Sequence, residues 1–428
     1  MPPDPTMRVY RQWLSAPVRV EDVTVTVATK PGVFAHGNED PAARMLAEAI
    51  VAEDIANAEP PGDVPADRTP LHSVHLHAGN GLVPAVAAAR GYRVTACDRS
   101  KPNATATERT LTLSAAAAAP LHDVKELAAY QVHHVAVPGA CIPDGVASLV
   151  TIRIPTDRLG VQIAVAEAFR VLAIGGHCLL AGANDEGAKP AARLLQSVFG
   201  NAVVDAQHSG HRLVRATKET ATPADATIFA LPWLDAERFH EVPLEVPFEM
   251  KSGRTPLVQF TRPGVFSWEH LDEATALLIE TMNIRRGDRV LDLGCGAGGL
   301  GVVAALQSGA RVVLVDADAD AVRCARRTAR QAGASNIEVR ASDVAEAVDG
   351  EAFDVVVTNP PFHVGKATDL TVPQAFIDDA YDALAPGGRL YLVANRTLPY
   401  ERLIQARFGE VRTAHDGRRF KVLGAVRT

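Results

Sequence analysis

Two short stretches of this 428-residue chain carry residues that could bind a ligand and act on it. The first, Val290 to Gly298, has the pattern of a buried strand running into a glycine turn. Missing side chains in such a turn let a ligand approach the backbone and let the chain adopt positive φ. The second, Asn359-Pro360-Pro361-Phe362, is a stiff element that ends another strand.

Acidic residues after two further strands indicate the kind of ligand. Arg311 to Val315 form an apolar strand ending in Asp316, whose carboxylate can accept hydrogen bonds from both ribose hydroxyls of a nucleoside. Asp343 follows a third strand, Asn336 to Arg340. The turn Gly-Cys-Gly-Ala-Gly lacks the G-x-G-x-x-G spacing that brings a helix N-terminus onto a pyrophosphate. These features favour a nucleoside without phosphates.

Together these residues resemble the class I S-adenosylmethionine (AdoMet) methyltransferases, and Asn-Pro-Pro-Phe resembles the branch that methylates planar nitrogens. The stretch from Asn359 to Lys366 is similar to the ribosomal RNA guanine-N2 methyltransferases, both the C type that modifies small-subunit RNA and the G type that modifies large-subunit RNA. The resemblance is strong over residues 245–428 and covers the N-terminal half in outline. It implies methyl transfer from AdoMet to the exocyclic N2 of a guanine in ribosomal RNA, with 16S rRNA favoured.

The same resemblance implies which residues hold AdoMet. They are the glycine turn, the acidic strand ends and the asparagine: Asp292, Gly294, Cys295, Gly296, Asp316, Asp343 and Asn359. Asp292 and Gly294 correspond to the turn at the methionine end, and Gly296 gives close approach. Asp316 corresponds to the residue that meets the ribose hydroxyls, and Asp343 to the residue that meets the adenine amino group.

Catalysis is expected to depend on Asn359, Pro360 and Phe362. Guanine's exocyclic amine is a poor nucleophile because its lone pair is delocalised into the ring, and two acceptors for its N–H groups would turn the nitrogen toward sp³. The Asn359 side-chain oxygen and the Pro360 carbonyl can supply them, and Phe362 offers a flat face for the base. His363 and Lys366 follow on a loop and are expected to contact the base or a phosphate. The leaving group is a neutral thioether, so positioning rather than a strong base is expected to carry the reaction.

The N-terminal half of the chain repeats the order of the second half. The sequence Pro-Gly-Val-Phe occurs at residues 31–34 and again at residues 263–266. A Gly-Gly pair precedes a strand at residues 175–176 and again at residues 387–388. Matched short motifs in the same order predict an internal duplication.

The expected fold is therefore α/β, with two tandem Rossmann-like class I methyltransferase domains. A degenerate domain is predicted at residues 1–220, a linker at residues 221–244 and the catalytic domain at residues 245–428. Alternation of strands and helices predicts parallel strands with helices on both faces. Two similar domains give a dimer-like arrangement within one chain, so a monomer is expected.

The first domain is expected to have lost its chemistry. Arg153 stands where the second domain has Asn359, and His77 is predicted to stand where the second domain has Leu293. A domain that keeps the sheet without the polar acceptors should fold but not methylate. The resemblance implies a role in stability and substrate placement.

Composition and charge limit the function classes. The chain is 47% hydrophobic and 22% charged, as in soluble globular proteins, and no apolar run reaches the ~18 residues of a membrane span. A cytoplasmic protein is expected. The formal net charge of -7 excludes a strongly basic nucleic-acid coat, so RNA would have to meet a local basic patch. Neither the five cysteines nor His72, His75 and His77 have spacing suited to zinc, and no metal is predicted.

Four alternatives remain open. A 23S rRNA target is compatible with the same motif. Release-factor glutamine N5 methyltransferases present a similar motif but normally carry Tyr where this chain has Phe362. DNA adenine-N6 methyltransferases would require a target-recognition region that the sequence does not show. A ribosome-assembly factor that binds AdoMet or RNA without turnover is the alternative from another class, and the intact Asn359 disfavours it.

Overall fold

The computed structural model describes residues 9–53, 71–118, 130–244, 256–361 and 370–428. The chain divides into two compact units. Trp13–Arg238 form the unit that we call the first copy, and Phe239–Thr428 with the N-terminal segment ending at Gln12 form the second copy. None of the helices in the described ranges combines the length and apolar character that a membrane span requires.

The first copy alternates strands and helices in the order that its sequence predicts. Its elements are β1 (Leu14–Val20), β2 (Val23–Thr29), α1 (Pro41–Ala52), β3 (His72–Leu76), α2 (Leu82–Ala89), β4 (Arg93–Asp98), α3 (Lys101–Ala118), β5 (Tyr130–His134), β6 (Ala147–Arg153), α4 (Arg158–Val171), β7 (Leu172–Ala183), α5 (Ala188–Phe199), β8 (Val203–His208) and β9 (His211–Thr217). Asp40 is the N-cap of α1, because its side chain accepts a hydrogen bond from the Ala42 amide and Pro41 is the first helical residue.

The second copy repeats this series of elements. They are β10 (His240–Pro243), β11 (Val258–Thr261), α6 (Glu273–Thr281), β12 (Val290–Leu293), α7 (Gly299–Ser308), β13 (Val312–Asp316), α8 (Ala319–Gln331), β14 (Ile337–Ala341), β15 (Phe353–Thr358), α9 (Thr371–Ala383), β16 (Leu384–Asn395), α10 (Tyr400–Phe408), β17 (Arg412–Asp416) and β18 (Phe420–Val426).

Each copy contains a seven-stranded sheet with the same strand order, which confirms the predicted duplication. The order is β5-β4-β3-β6-β7-β9-β8 in the first copy and β14-β13-β12-β15-β16-β18-β17 in the second. The predicted parallel pairing holds from β14 to β16, but β18 pairs antiparallel with β16 and with β17. The last two strands form a hairpin, and a hairpin needs no crossover helix.

The central strands of the second copy are buried on both faces. On β15, Val355 and Val357 pack in the same cluster as residues of α6 and α7. Val356, whose side chain points the other way, packs in the cluster that contains Phe376 and Ile377 of α9. The sequences of such strands are continuous valine-rich runs, because helices cover both sides of the sheet and bury every side chain along the strand.

The boundary between the copies differs from the predicted one. Residues 221–238 belong to the first copy, because Ile228 is buried in its core and neighbouring apolar side chains pack against that core: Phe229, Leu231 and Leu234. Burial of these side chains outweighs the absence of helical periodicity in this proline-containing stretch. Residues 240–243 pair as β10 with β11 of the second copy.

The glycine turns of the two copies align one residue away from the sequence prediction. Strand pairing places Leu76 and Leu293 at matching positions, so His77 corresponds to Gly294 and not to Leu293. The backbone agrees, since φ is 59° at His77 and 76° at Gly294. A left-handed conformation is costly for a residue with a Cβ atom, which is why the match is hard to recognise from residue types.

Candidate active site

Two of the predicted site residues, Gly294 and Asn359, lie where the strand order of the second copy reverses, at the carboxyl ends of β12 and β15. Leu293 pairs with Thr358, and the Thr358 hydroxyl donates a hydrogen bond of 2.7 Å to the Leu293 carbonyl. Gly294 and Asn359 therefore leave neighbouring strands side by side. Ligands of open α/β sheets bind at such a reversal point.

The glycine turn adopts positive φ at three positions, 76° at Gly294, 53° at Gly296 and 83° at Gly298. A Cβ atom at Gly294 would lie 3.0 Å from Phe376 Cε1, and one at Gly298 would lie 2.9 Å from Ala325 Cβ. At Gly296 a Cβ atom would meet no atom of the described residues within 4 Å. Packing thus disfavours a side chain at Gly294 and Gly298, whereas Gly296 borders space that none of the described residues fills.

Cys295 contributes to this turn through its backbone. Its amide and that of Gly294 both donate to the Val315 carbonyl, at 2.9 Å each. The side chain is buried, and burial raises the pKa of the thiol well above its usual value. The thiol therefore stays protonated, and a reactive role for it is not indicated.

Asp316 links the end of β13 to the glycine turn. Its Oδ2 accepts a hydrogen bond of 2.8 Å from the Gly296 amide, and its Oδ1 accepts one of 2.8 Å from the Asp318 amide. Burial, with the nearby Asp318 charge, raises the pKa of this half-buried carboxyl to about 6. No side chain in the described ranges donates to it, so its remaining lone pairs can accept from a ligand.

The equivalent carboxylate of the first copy, Asp98, already has an additional hydrogen-bond donor from the protein. Asp98 accepts from the Gly79 amide at 3.0 Å and the Ser100 amide at 2.8 Å, which reproduces the pattern of the second copy. In addition, Asn103 Nδ2 lies 3.3 and 3.4 Å from the two Asp98 oxygens. The residue five places after the carboxylate in the second copy is Ala321, whose side chain cannot donate a hydrogen bond. In the first copy, the Asn103 side-chain amide therefore occupies the space beside the carboxylate. No side chain of the described residues occupies the equivalent space beside Asp316 in the second copy.

Asp292 lies beneath the turn rather than in the open site. It is 1% exposed, and a Cβ atom on Gly301 of α7 would lie 2.8 Å from its Oδ2. Neither carboxylate oxygen has a hydrogen bond of good geometry within the described residues, although the backbone of Gly301 lies close by. Burial raises the pKa of the group to about 7, and the Gly301 amide offsets only part of this effect. The side chain is therefore almost fully covered in the protein, and its expected role at the methionine end of AdoMet stays a prediction.

Asp292→Asn is expected to stabilise the protein increasingly as pH rises. The pKa of Asp292 is above its ordinary value of 3.8, so the folded state binds this proton more tightly and loses stability as pH rises from about 4 to about 7. Asn cannot ionise, so its advantage over Asp should reach on the order of 2 to 4 kcal/mol near pH 8. Thermal unfolding of both proteins at several pH values measures this. A difference in Tm that does not change with pH would contradict it.

Asp343 is held by a residue that the sequence did not indicate. The Tyr10 hydroxyl donates a hydrogen bond of 2.7 Å to Asp343 Oδ1, and both residues are buried. The neighbouring Arg11 contacts Asp349 at 2.8 Å and Asp379 at 2.9 Å. The partners in the Tyr10 contact are 333 positions apart, so no local pattern marks it. The N-terminal segment is thereby part of the second copy and orients the carboxylate predicted to meet adenine.

Asn359 has a fixed side-chain orientation at the end of β15. Its Nδ2 donates to Asp272 Oδ2 at 3.0 Å and to Thr275 Oγ1 at 2.9 Å, and its Oδ1 is buried without a hydrogen-bond partner in the described part of the chain. A carboxylate only accepts, so the NH₂ group must face Asp272 and the oxygen must face away from it. A buried acceptor without a partner is unfavourable unless a ligand supplies the donor.

Of the other predicted substrate residues, Pro360 is buried directly after Asn359. Phe362, His363 and Lys366 lie outside the described residues. Sequence reasoning missed Asp272 and Thr275. The Asp-x-x-Thr pattern marks the start of a helix, but it does not indicate which distant side chain the cap will contact.

The first copy has no acceptor at the position of Asn359. Arg153 donates to Asp40 Oδ2 at 3.1 Å and to Glu186 at 2.7 and 3.0 Å, and its guanidinium lies 4.8 Å from the centre of the Phe34 ring. A guanidinium only donates hydrogen bonds. These contacts are consistent with the prediction that the first copy is degenerate, which stays a prediction.

Comparison with known proteins shows the family to which the chain belongs. The family model of the methyltransferase small domain matches residues 257–424. The ribosomal RNA small subunit methyltransferase C of Escherichia coli K12 is 33% identical over 276 residues, which cover 64% of this chain and 74% of that protein. The chain belongs to the ribosomal RNA small subunit methyltransferase C family.

Other members of the small subunit methyltransferase C family match over a shorter span. The Hahella chejuensis protein is 43% identical over 183 residues, which cover 42% of this chain and 53% of that protein. The chain spans about half the length of this relative and of the Chromohalobacter salexigens protein, of which 51% is covered.

A solved structure of the same type matches the whole chain. The T. thermophilus 16S rRNA N2 G1207 methyltransferase (RsmC), in complex with AdoMet and guanosine, has a TM-score of 0.76 and 26% identity. The match covers 99% of this chain and 100% of that protein. The two Rossmann-like domains of this member of the small subunit methyltransferase C family therefore have a class I methyltransferase architecture.

Proposed function

We propose that the second copy transfers a methyl group from AdoMet to the exocyclic N2 of a guanine in 16S ribosomal RNA. The observation that carries this proposal is the buried Asn359 Oδ1, an acceptor without a partner among the described residues, held in place by Asp272 and Thr275. Membership of the small subunit methyltransferase C family supports the substrate class. The T. thermophilus relative, in complex with AdoMet and guanosine, supports both ligands.

The second copy has the features that AdoMet binding needs. Gly296 borders open space, and Asp316 keeps acceptor capacity for ribose hydroxyls beside it. Asp343, oriented by Tyr10, is proposed to meet the adenine amino group. Bound AdoMet supplies a methyl group on a positively charged sulfur. Asp292, which lies beneath the glycine turn, is proposed to act at the methionine end of AdoMet.

The amino group of guanine would be held by two acceptors. Asn359 Oδ1 accepts one N–H and the Pro360 carbonyl accepts the other, which draws the nitrogen lone pair out of conjugation with the ring. Phe362 is proposed to stack on the base, and His363 and Lys366 to contact the base or a phosphate. Bringing a stacked base into such a site costs a few kcal/mol, which favours accessible, unpaired guanines.

The domains have separate proposed roles. The second copy is the catalytic domain, whereas the first copy supports stability and substrate placement, because Arg153 and the filled Asp98 leave it without the polar acceptors. We further propose that the protein acts as a monomer in the cytoplasm.

Mapping modified nucleotides in cells that lack this protein tests the proposed function. One N2-methylguanosine of 16S rRNA should disappear, and wild-type protein should restore it. Mass mapping and primer extension locate the nucleotide. Loss of a methylguanosine from 23S rRNA would redirect the assignment to the large ribosomal particle. Unchanged methylation of both RNAs would contradict the proposal and favour a binding factor without turnover.

A further inference from the structure

The N-terminal turn of α6 carries two side chains that contact the proposed catalytic amide. We infer that Asp272 and Thr275 are positioning residues, which hold the Asn359 amide so that its oxygen, and not its NH₂ group, is presented to the substrate amine. This inference rests on the proposed function and deepens it. Neither residue needs to touch substrate or cofactor to act in this way.

The hydrogen bonds among these three side chains have a single consistent direction. Thr275 Oγ1 donates to Asp272 Oδ2 at 3.1 Å, so its lone pairs are left to accept from Asn359 Nδ2 at 2.9 Å. The second proton of Nδ2 is donated to Asp272 at 3.0 Å. Both amide protons are therefore used within the protein. A reversed amide would place Oδ1 against a carboxylate, where two acceptors repel each other.

The carboxylate that orients the amide is itself fixed by the helix. Asp272 is the N-cap of α6, and its Oδ2 also accepts from the Thr275 amide at 2.8 Å. A cap of this kind satisfies an otherwise unpaired amide at the start of the helix. The helix start is thus rigidly linked to the end of β15, although Asp272 and Asn359 are 87 positions apart.

The first copy shows which part of this arrangement belongs to the fold. Asp40, the N-cap of α1, likewise contacts the residue at the end of the matching strand, Arg153, at 3.1 Å. The position three residues after this cap is Ala43, whereas the second copy has Thr275. The cap carboxylate is common to both copies, but the hydroxyl that completes the amide's bonds occurs only where the strand ends in asparagine.

Loss of these contacts should slow methyl transfer without weakening AdoMet binding. An amide free to turn would present its NH₂ group to the guanine amine part of the time. Two N–H groups that face each other cannot form a hydrogen bond, because both are donors. Thr275→Val is expected to lower kcat about 10-fold and Asp272→Ser about 100-fold, with the Kd for AdoMet changed by less than about threefold. Asp272→Asn keeps an acceptor of the same reach and should recover most of the activity.

The experiment measures kcat and KM on the small ribosomal subunit or its RNA, the Kd for AdoMet and Tm. Asp40→Ser is the matched control, since it makes the same cap substitution in the first copy and should lower Tm without lowering kcat. A double-mutant cycle with Asn359→Ala separates positioning from general destabilisation, because Asp272→Ser should add no further loss once Asn359 is absent.

The possible results distinguish this inference from the proposed function. If Asn359→Ala itself keeps full activity, the proposed catalytic site is wrong. If Asn359→Ala is inactive while Thr275→Val and Asp272→Ser keep the wild-type kcat, only the positioning role is overturned. Losses from Asp272→Ser that persist undiminished in the Asn359→Ala background would also overturn it, since they would show a purely structural effect.

Discussion

Replacing Asn359 with Ala is expected to lower the rate of guanine methylation by about 10²- to 10³-fold, the usual effect of removing one preorganised polar group from a reaction centre. The substitution deletes the buried Oδ1 acceptor that no described residue satisfies. The amino group would then keep its planar form, and its lone pair would stay delocalised in the ring. Transfer of labelled methyl groups from AdoMet to ribosomal RNA measures the rate.

Asn359 is one of seven residues predicted to hold AdoMet, and binding should survive its replacement because the others, including Gly296 and Asp316, are untouched. Titration calorimetry on the variant should give a Kd close to that of the wild type. Arg153→Ala, at the matching position of the first copy, is the control. It breaks contacts to Asp40 and Glu186 and should lower Tm while methylation continues. Equal rates for wild type and Asn359→Ala would refute the proposed chemistry.

Asp316→Ala is expected to weaken AdoMet binding by about 100-fold or more, since hydrogen bonds to a charged group are each worth about 1.5 to 3 kcal/mol. The substitution also removes the acceptor of the Gly296 amide bond, and so loosens the glycine turn. Asp98→Ala removes the same amide bond from the first copy, at Gly79, and is the matched control. It should lower Tm but leave both the affinity and a stoichiometry of one AdoMet per chain unchanged.

The pH dependence of binding gives this prediction a second measurement. Burial raises the pKa of Asp316 to about 6, so the carboxylate becomes protonated as pH falls through that value and accepts hydrogen bonds less well. Wild-type affinity should therefore decrease below about pH 6, and Asp316→Ala should lack this decrease. Loss of AdoMet binding in Asp98→Ala instead would place the cofactor in the first copy.

Much of the fold could be predicted from local patterns. The Asp40-Pro41 start of α1, the valine-rich strands and the repeated motifs all identify elements of one α/β domain used twice. The antiparallel hairpin of β17 and β18 could not be predicted in the same way. Alternating strands and helices indicate a parallel sheet, and this pattern gives no information about two strands that have no helix between them. The two compact units meet at residues 238 and 239, inside the predicted linker of residues 221–244. The sequence did not indicate that residues 221–238 pack with the first copy, because Ile228 is held by tertiary burial and not by periodicity.

In the candidate site, too, some residues could be predicted from the sequence, whereas other contacts are visible only in the structure. The sequence by itself determined the glycine turn, Asp316 and Asn359, because tight turns and strand ends require particular residue types at short spacing. Only the tertiary structure decided that Asp292 is sealed below the turn, that Tyr10 holds Asp343, and that Asp272 and Thr275 orient Asn359. These contacts join residues 84 to 333 positions apart, and no local preference encodes which distant side chain a carboxylate or an amide will meet.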